Sequence, residues 1–200
     1  MSFWDERYDR PDYLFGEAAN AFLAGQVERL KPYRTALAIA DGEGRNGVWL
    51  AEQGLDVLSL DASAVALQKA RNLAGRRGVH LKTELIDIAD YDWPEGQFEI
   101  VVGIFFQFAE PALREAIFAG MIRALAPGGL LLIEGYTPKQ LEYGTGGPGQ
   151  VEKLYTEALL RSAFAALEII ELRSYDAEVD EGAAHKGMSA LIDLVARKPL

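Results

Sequence analysis

A glycine-rich turn is the feature of this sequence whose residue types and spacing point most directly to chemistry. In the segment DGEGRNG, Gly42, Gly44 and Gly47 have the spacing G-x-G-x-x-G. Glycine lacks a Cβ, so the backbone can approach a ligand closely, and a helix that begins there presents free N–H groups. Asp61 ends the next apolar run about 20 residues later, where an acid can accept hydrogen bonds from both hydroxyls of a ribose. The pattern therefore predicts a site for a ligand that contains adenosine.

The glycine spacing leaves more than one interpretation open. Nicotinamide dinucleotides and S-adenosylmethionine both carry an adenosine, so this half of a site does not separate them. Asp61 could also be the N-cap of the helix that follows it, since aspartate is a favoured cap. Because the glycines lie upstream, we favour the ribose-binding role.

The elements that would position these residues alternate along the chain. Strands are predicted over residues 35–40, 55–61 and 79–85, from residue 98, from residue 130, and in the final segments LEIIELRSY and SALIDLVARK. Helices are predicted over residues 17–30, after the glycine-rich turn, from Ser63, from Pro111 and over about 151–164. Alternating strands and helices predict a parallel sheet, and two consecutive strands at the end predict an antiparallel pair.

Residues 1–200 are expected to form one α/β domain with two special segments. Residues 1–30 are interpreted as a lid segment with a helix, and residues 137–150 as a Gly/Pro-rich active-site loop, since long loops are often functional. The first of these segments carries aromatic residues that would either dock it on the domain or cover a cationic cofactor by cation–π contact. These aromatic residues are Trp4, Tyr8, Tyr13 and Phe15.

Composition excludes several classes of function. The chain has 30 acidic and 20 basic side chains, a net charge of -10, which predicts no nucleic-acid partner. It has no cysteine, which excludes disulfides, thiolate metal sites and a cysteine nucleophile. Its two histidines lack metal-binding spacing, so we expect no metal. No signal peptide or membrane-length apolar run is visible, so we expect a cytoplasmic protein, with no membrane partner and a small-molecule substrate; oligomeric state is not indicated.

Longer segments resemble a known superfamily. The segment LAIADGEGRNGVWLAEQGLDVLSLDASAVALQKA resembles the first βαβ unit of class I S-adenosylmethionine-dependent methyltransferases, and GEGRN resembles in particular their tellurite-resistance and thiopurine-type branch. LAPGGLLLIEGY resembles the superfamily's turn into strand five, and DYLFGEAANAFL, TPKQLEYGTGGPG and DEGAAHKG resemble segments of small bacterial relatives. The resemblance covers almost the whole chain. It implies a doubly wound, mostly parallel seven-stranded sheet of the Rossmann-like methyltransferase fold, with an antiparallel C-terminal strand, and S-adenosyl-L-methionine as cofactor.

The resemblance also implies which residues hold the cofactor. Where the superfamily usually carries an acid two residues before the first glycine, this chain has Ala40, so Asp41 or Glu43 would anchor the methionine ammonium. Asp61 would bind the ribose hydroxyls, and Asp87 would face the adenine amino group. The full implied set is Asp41, Gly42, Glu43, Gly44, Asn46, Asp61, Ala62, Asp87, Ile88, Gly103 and Ile104.

Polar and aromatic side chains at the same predicted edge of the sheet are candidates for the substrate side. Glu134 and Tyr136 leave strand five there, and His185 lies in the last polar turn, so these three are the candidate catalytic residues. An ordinary surface histidine is the alternative for His185. The candidate substrate contacts are Tyr13, Phe105 and Tyr143.

These features are interpreted as in-line transfer of a sulfonium methyl group to a small molecule. A thiolate or chalcogen oxyanion acceptor would need no strong general base, which suits a sequence without an obvious one. An oxygen or nitrogen acceptor would need proton removal by His185, Glu134 or a tyrosine. Two alternatives stay open: a nicotinamide-dependent oxidoreductase, and a non-catalytic S-adenosylmethionine-binding sensor or partner module.

Overall fold

A seven-stranded sheet forms the centre of the computed structural model, which describes residues 3–200. The strand order is β3-β2-β1-β4-β5-β7-β6. The strands are β1 (Thr35–Ile39), β2 (Asp56–Asp61), β3 (Lys82–Leu85), β4 (Phe98–Ile104), β5 (Leu125–Tyr136), β6 (Glu168–Asp180) and β7 (Lys186–Arg197). The sequence order reverses between β1 and β4, and doubly wound sheets bind ligands outside the carboxyl ends of their strands at such a point.

Strand pairing confirms the predicted fold class. β1 pairs in parallel with both β2 and β4, and β4 pairs in parallel with β5. β7 runs antiparallel to both of its neighbours, β5 and β6. The sheet is therefore mostly parallel with one antiparallel strand near the C-terminus.

Helices connect the strands and cover both faces of the sheet. They are α1 (Phe3–Tyr8), α2 (Ala21–Gly25), α3 (Val27–Leu30), α4 (Arg45–Glu52), α5 (Ala64–Arg77), α6 (Pro111–Ala124), α7 (Gln140–Tyr143) and α8 (Glu157–Ala163), with a 3-10 helix at Val151–Lys153. The hydroxyl of Ser63 caps α5 by accepting a hydrogen bond from the Ala66 amide. Pro111 lies in the first turn of α6, where its missing N–H costs no hydrogen bond.

Two apolar cores lie on opposite faces of the sheet because successive side chains of a strand point in opposite directions. On β1, Leu37 and Ile39 pack in one core with Phe118 of α6. Ala36 and Ala38 belong to the other core, with residues of α4 and α5. This double burial explains why β1 and β4 are almost continuously apolar in sequence.

The structure corrects two predicted helices. The helix predicted over residues 17–30 begins only at Ala21, because the Asn20 side chain caps it by accepting from the Leu23 amide, and it is interrupted at Gln26. The helix predicted over about 151–164 is divided into the 3-10 helix and α8, since Thr156 caps α8 with its own side chain. The loop over 137–150 contains one short helix, α7, that the sequence analysis did not predict.

Candidate active site

A cavity of about 190 Å³ opens at the carboxyl ends of β1, β2 and β4. We call α1 and the residues between α1 and α2 the leader. The leader covers this cavity, and the turn between β6 and β7 contributes to the cavity wall. Eleven of the residues proposed from sequence for the cofactor, substrate or catalysis line it: Asp41, Gly42, Glu43, Asn46, Asp61, Ala62, Asp87, Ile88, Ile104, Phe105 and His185.

Two non-glycine residues of the cavity wall have left-handed backbone conformations. Ala40 follows β1 with φ 46°, and Phe105 follows β4 with φ 53°. Such conformations are uncommon for residues with a Cβ, and they concentrate at ligand sites. The two neighbouring central strands therefore both end in strained turns where the sheet topology places a ligand.

Asp61 lies at the end of β2 and joins two loops of the cavity wall. One carboxylate oxygen accepts from the Gly42 amide at 2.8 Å, and the other accepts from the Ser63 amide at 2.9 Å. Ser63, not Asp61, is the N-cap of α5, so the capping interpretation of Asp61 is wrong. Burial raises the pKa of Asp61, while these amide bonds oppose the rise. A carboxylate has further lone pairs, so Asp61 can still accept hydrogen bonds from a ligand.

Asp41 is partly buried in the cavity wall and supports the start of α4. Its carboxylate accepts from the Ser59 hydroxyl at 2.8 Å and from the Gly47 amide at 3.2 Å. Burial raises the pKa of Asp41 to about 7, against the effect of these hydrogen bonds. Asp41 therefore fixes the shape of the glycine-rich turn.

The motif glycines are required by close packing. A Cβ on Gly44, which has φ 84°, would lie 2.5 Å from the Ala70 Cβ of α5. A Cβ on Gly42 would lie 2.7 Å from the Tyr8 hydroxyl, and one on Gly47 would overlap the Asp41 carboxylate. Of these glycines, Gly42 alone lines the cavity, so Gly44 acts through the packing of α5.

Glu43 and Asn46 of the motif bind the leader. One Glu43 oxygen accepts from the Leu14 amide at 2.7 Å, and the other pairs with the Lys69 ammonium at 2.5 Å. The Asn46 side-chain oxygen accepts from the Asn20 amide at 3.0 Å. The polar groups of these two residues are therefore engaged by the protein itself, although both residues line the cavity.

Aromatic rings form a continuous row along one side of the cavity. His185 lies between Phe15 and Phe105, with ring centroids 4.5 Å and 4.4 Å away, and Phe105 stacks on Tyr136 at 4.6 Å. Burial lowers the pKa of His185 to about 4, and the charge of Arg45 adds to this effect. The imidazole is therefore neutral at neutral pH.

Glu134 and Tyr136 lie behind the cavity wall. Glu134 accepts from the Asn20 side-chain amide at 2.5 Å and lies opposite Asp193 in the β5–β7 pair. Burial raises the pKa of Glu134 well above its ordinary value, and the charges of Asp193 and Glu181 raise it further. Tyr136 is 2% exposed, and it contacts the cavity wall through its stacking on Phe105 and an edge contact with His185.

The remaining proposed residues are placed as follows. Tyr13 faces α5, where its hydroxyl donates to the Lys69 carbonyl at 2.8 Å. Tyr143 ends α7 and packs beside the Lys139 ammonium. Gly103 leaves room for the Phe106 ring, which would lie 2.5 Å from a Cβ there. None of these three residues lines the cavity, so their positions do not support the direct ligand contacts expected from sequence.

A buried ion pair that was not predicted from sequence joins the start of α4 to the β6–β7 turn, close enough for both charges to act on His185. The Arg45 guanidinium lies 2.7 Å from Glu181, which precedes His185 in the β6–β7 turn. Glu181 also accepts from the Ala21 amide at 2.9 Å. Burial opposes ionisation of Glu181, yet Arg45 and the Ala21 amide hold its pKa below the ordinary value. No signal in the sequence linked residues 45 and 181.

Sequence and structure comparisons both find methyltransferases. A sequence profile described as "Methyltransferase domain" matches residues 36–129. The chain is 25% identical over 168 residues to the 2-heptyl-1-hydroxyquinolin-4(1H)-one methyltransferase of Mycobacteroides abscessus. The match covers 83% of this chain and 74% of that protein. Matches to two further curated methyltransferases span 48% and 58% of those proteins.

Solved structures share the fold over nearly the whole chain. The N-methyltransferase NodS of Bradyrhizobium japonicum in complex with S-adenosyl-L-homocysteine has a TM-score of 0.74 at 18% identity, covering 98% of this chain and 97% of that one. A structure described for the conversion of a disulfide bond into a thioacetal group during echinomycin biosynthesis has a TM-score of 0.80 at 20% identity, covering 98% and 90%. Residues 36–129 therefore match a methyltransferase domain, and the chain shares the fold of solved S-adenosylmethionine-dependent methyltransferases.

The residues of the cavity wall fit S-adenosylmethionine, the cofactor of these methyltransferases. Asp61 provides a carboxylate at the end of β2, and Gly42 exposes its backbone to the cavity because it has no side chain. Ile88 and Ile104 are buried apolar residues of the wall, and Trp4, Tyr8 and Phe15 cover it with aromatic rings. Aromatic faces attract cations such as a sulfonium. Within residues 3–200, no group of acidic and histidine side chains forms a metal site, and no helix has the length and apolar character that a membrane crossing needs.

Proposed function

We propose that this methyltransferase methylates a small molecule whose acceptor atom is already ionised, such as a thiolate or a chalcogen oxyanion. S-adenosylmethionine supplies the methyl group from its sulfonium when it is bound. The observation that carries the proposal is the state of the acidic and basic side chains in the cavity wall. All four carboxylates of the cavity wall already accept a hydrogen bond from a backbone amide. The pairs are Asp41 with Gly47, Glu43 with Leu14, Asp61 with Gly42, and Asp87 with Ala89.

His185 is the lining side chain nearest in type to a general base, and its pKa is poorly matched to that role. With a pKa lowered to about 4, the imidazole is neutral but only weakly basic. An acceptor that is ionised in solution removes the need for proton abstraction. An imidazole held between Phe15 and Phe105 can instead orient an acceptor and exclude water from it.

Exclusion of water favours this reaction in particular. When an anionic nucleophile meets a sulfonium, both charges disappear on the way to the transition state, so a dry site disfavours the separated charges. The aromatic row supplies that dry wall, and the strained end of β4 fixes the position of the Phe105 ring. Asp61 and the turn at Gly42 would hold the cofactor in line with the acceptor.

Relatives with similar folds support a small-molecule acceptor. The curated relative named above acts on a hydroxyquinolinone, and the structure described for echinomycin biosynthesis concerns sulfur chemistry. An oxygen acceptor of low pKa would also arrive ionised. The acceptor atom is therefore the part of the proposal that the experiment must decide.

The test is formation of S-adenosylhomocysteine with a panel of thiols, selenite, tellurite, phenols and amines. Two aromatic thiols of similar shape and different pKa form the matched pair. We expect kcat/KM to rise with pH along the thiol's own ionisation, so the two profiles should be displaced by the difference between the thiol pKa values. Turnover of amines alone, or a profile that ignores the acceptor pKa, contradicts the proposal. Stoichiometric cofactor binding without turnover of any acceptor would support a sensor instead.

A further inference from the structure

One lysine gathers the carbonyl groups of the leader. The Lys69 ammonium on α5 donates to the carbonyl oxygens of Tyr8 at 3.1 Å, Arg10 at 3.0 Å and Asp12 at 2.7 Å. The Lys69 side chain is 13% exposed. An ammonium has three hydrogens to donate, so the leader carbonyls use its full donor capacity.

Glu43, in the glycine-rich turn, binds both Lys69 and the leader. It pairs with Lys69 at 2.5 Å through one oxygen, and it binds the Leu14 and Phe15 amides through the other, at 2.7 Å and 3.4 Å. Lys69 therefore binds backbone carbonyls that precede Tyr13, and Glu43 binds the backbone amides that follow it. We define residues 43 and 69 together as the leader clasp.

The clasp determines where the cover of the cavity lies. Tyr8 and Phe15, which line the cavity, lie at the two ends of the clasped segment. The Tyr8 hydroxyl lies directly above Gly42, and Phe15 packs on His185. If the clasp opened, these rings would lose their fixed position over the cofactor turn.

We propose that Lys69 and Glu43 are positioning residues that hold the leader closed over the bound cofactor. Neither contributes to the methyl-transfer step. Buried ion pairs add little net stability in many proteins, because desolvation offsets the attraction, but they can determine which arrangement a segment adopts. The clasp joins a cofactor-binding turn to the segment that covers the cofactor, so closure and cofactor affinity are coupled through it. The inference concerns the cofactor alone and does not depend on which acceptor is methylated.

The test compares Lys69→Met, Glu43→Gln and the double variant with wild type. The double variant leaves no unpaired buried charge, so it keeps the test valid if Lys69→Met folds poorly. Lys82→Met, which removes an exposed ion pair with Asp56, is the matched control. The readouts are the rate of chymotrypsin cleavage within residues 4–15, followed by intact mass, and the Kd for S-adenosylhomocysteine by calorimetry.

We expect the clasp variants to be cleaved in the leader about tenfold faster than wild type without ligand, and to bind S-adenosylhomocysteine about tenfold more weakly, because hydrogen bonds to a charged group are lost. Saturating S-adenosylhomocysteine should slow leader cleavage in wild type. The control should match wild type in both readouts. Wild-type cleavage and wild-type Kd in the folded double variant would overturn the proposal. Cleavage without ligand does not use methyl transfer, so this result is independent of the proposed reaction.

Discussion

The Gly42 amide donates a hydrogen bond of 2.8 Å to the Asp61 carboxylate, and this bond joins the loops that follow β1 and β2. Because β1 and β2 are parallel neighbours, their carboxyl ends lie side by side. The bond therefore fixes the distance between the bare backbone of the turn and the acid proposed to bind a ribose. Both residues line the cavity, so a contact within the protein itself organises the proposed cofactor site.

Asp61→Asn should weaken S-adenosylhomocysteine binding. The amide keeps one oxygen and cannot accept from Gly42, Ser63 and two ribose hydroxyls together, so we expect a loss of about tenfold or more in affinity. Calorimetry gives the Kd. Asp56→Asn, at the exposed start of the same strand, is the control and should bind as wild type. An unchanged Kd for Asp61→Asn would remove Asp61 from the cofactor site.

Gly44→Ala should destabilise the fold by about 2 kcal/mol or more, since it adds strain at a positive φ to a clash with the Ala70 Cβ 2.5 Å away. Gly75→Ala is a matched control within α5, where a new Cβ meets no atom within 4 Å. That control should stabilise by about 0.5–1 kcal/mol, because alanine is the better helix former. Urea unfolding compares the two variants. Equal effects of the two substitutions would contradict the packing role of Gly44.

His185 should make wild type lose stability in acid. Its pKa is about 4 in the folded protein against 6.5 in the unfolded chain, so folding favours the neutral ring. That contribution is complete above pH 6.5 and is lost as pH falls toward 4. Relative to His185→Gln, wild type should therefore lose about 1–2 kcal/mol between pH 7 and pH 5. Urea unfolding at both pH values measures the change.

The control for this prediction is His80→Gln, because His80 is exposed just before β3. We expect this variant to keep the pH dependence of wild type. If His185→Gln also kept it, the imidazole would not be buried as the aromatic row requires.

Asp41 should make the folded protein less stable as pH rises, which is opposite to the effect of His185. Its pKa is raised to about 7 from 3.8, so folding favours the protonated acid and disfavours the carboxylate. The free energy of unfolding of wild type should therefore fall relative to Asp41→Asn as pH rises from 4 to 7, by at most about 1.4 kcal/mol per pH unit. Above pH 7 the difference should be constant. A difference that does not change with pH would show that Asp41 is ionised normally.

Much of the fold was predictable because periodic apolar runs and turn residues report burial directly. The apolar run FEIVVGIFF predicted a strand from Phe98, and Pro111 predicted the start of a helix; β4 and α6 confirm both, although β4 ends at Ile104. The helix predicted over residues 17–30 is present from Ala21, but its predicted start was wrong because local capping by Asn20 outweighed a weak apolar pattern. Helix boundaries depend on single side-chain hydrogen bonds, which periodicity does not reveal.

The candidate site was predictable where it depends on strand ends and not where it depends on long-range contacts. Asp61 ends β2 and Gly42 follows β1, so the pairing of these strands brings the two residues together. The partners of Arg45 and Lys69 lie far along the chain or in an irregular leader, and no spacing encodes them. Tyr13 was expected at the substrate, but its hydroxyl binds the Lys69 carbonyl because the leader turns that ring toward α5.

Thermal unfolding with S-adenosylmethionine, S-adenosylhomocysteine, NAD or NADP tests the central claim most directly. A ligand at about 100 times its Kd stabilises the folded protein by roughly 2.7 kcal/mol, which shifts the unfolding temperature measurably. We expect a shift with the two sulfur compounds and none with either dinucleotide. A shift with a dinucleotide alone would contradict the assignment of this cavity to S-adenosylmethionine.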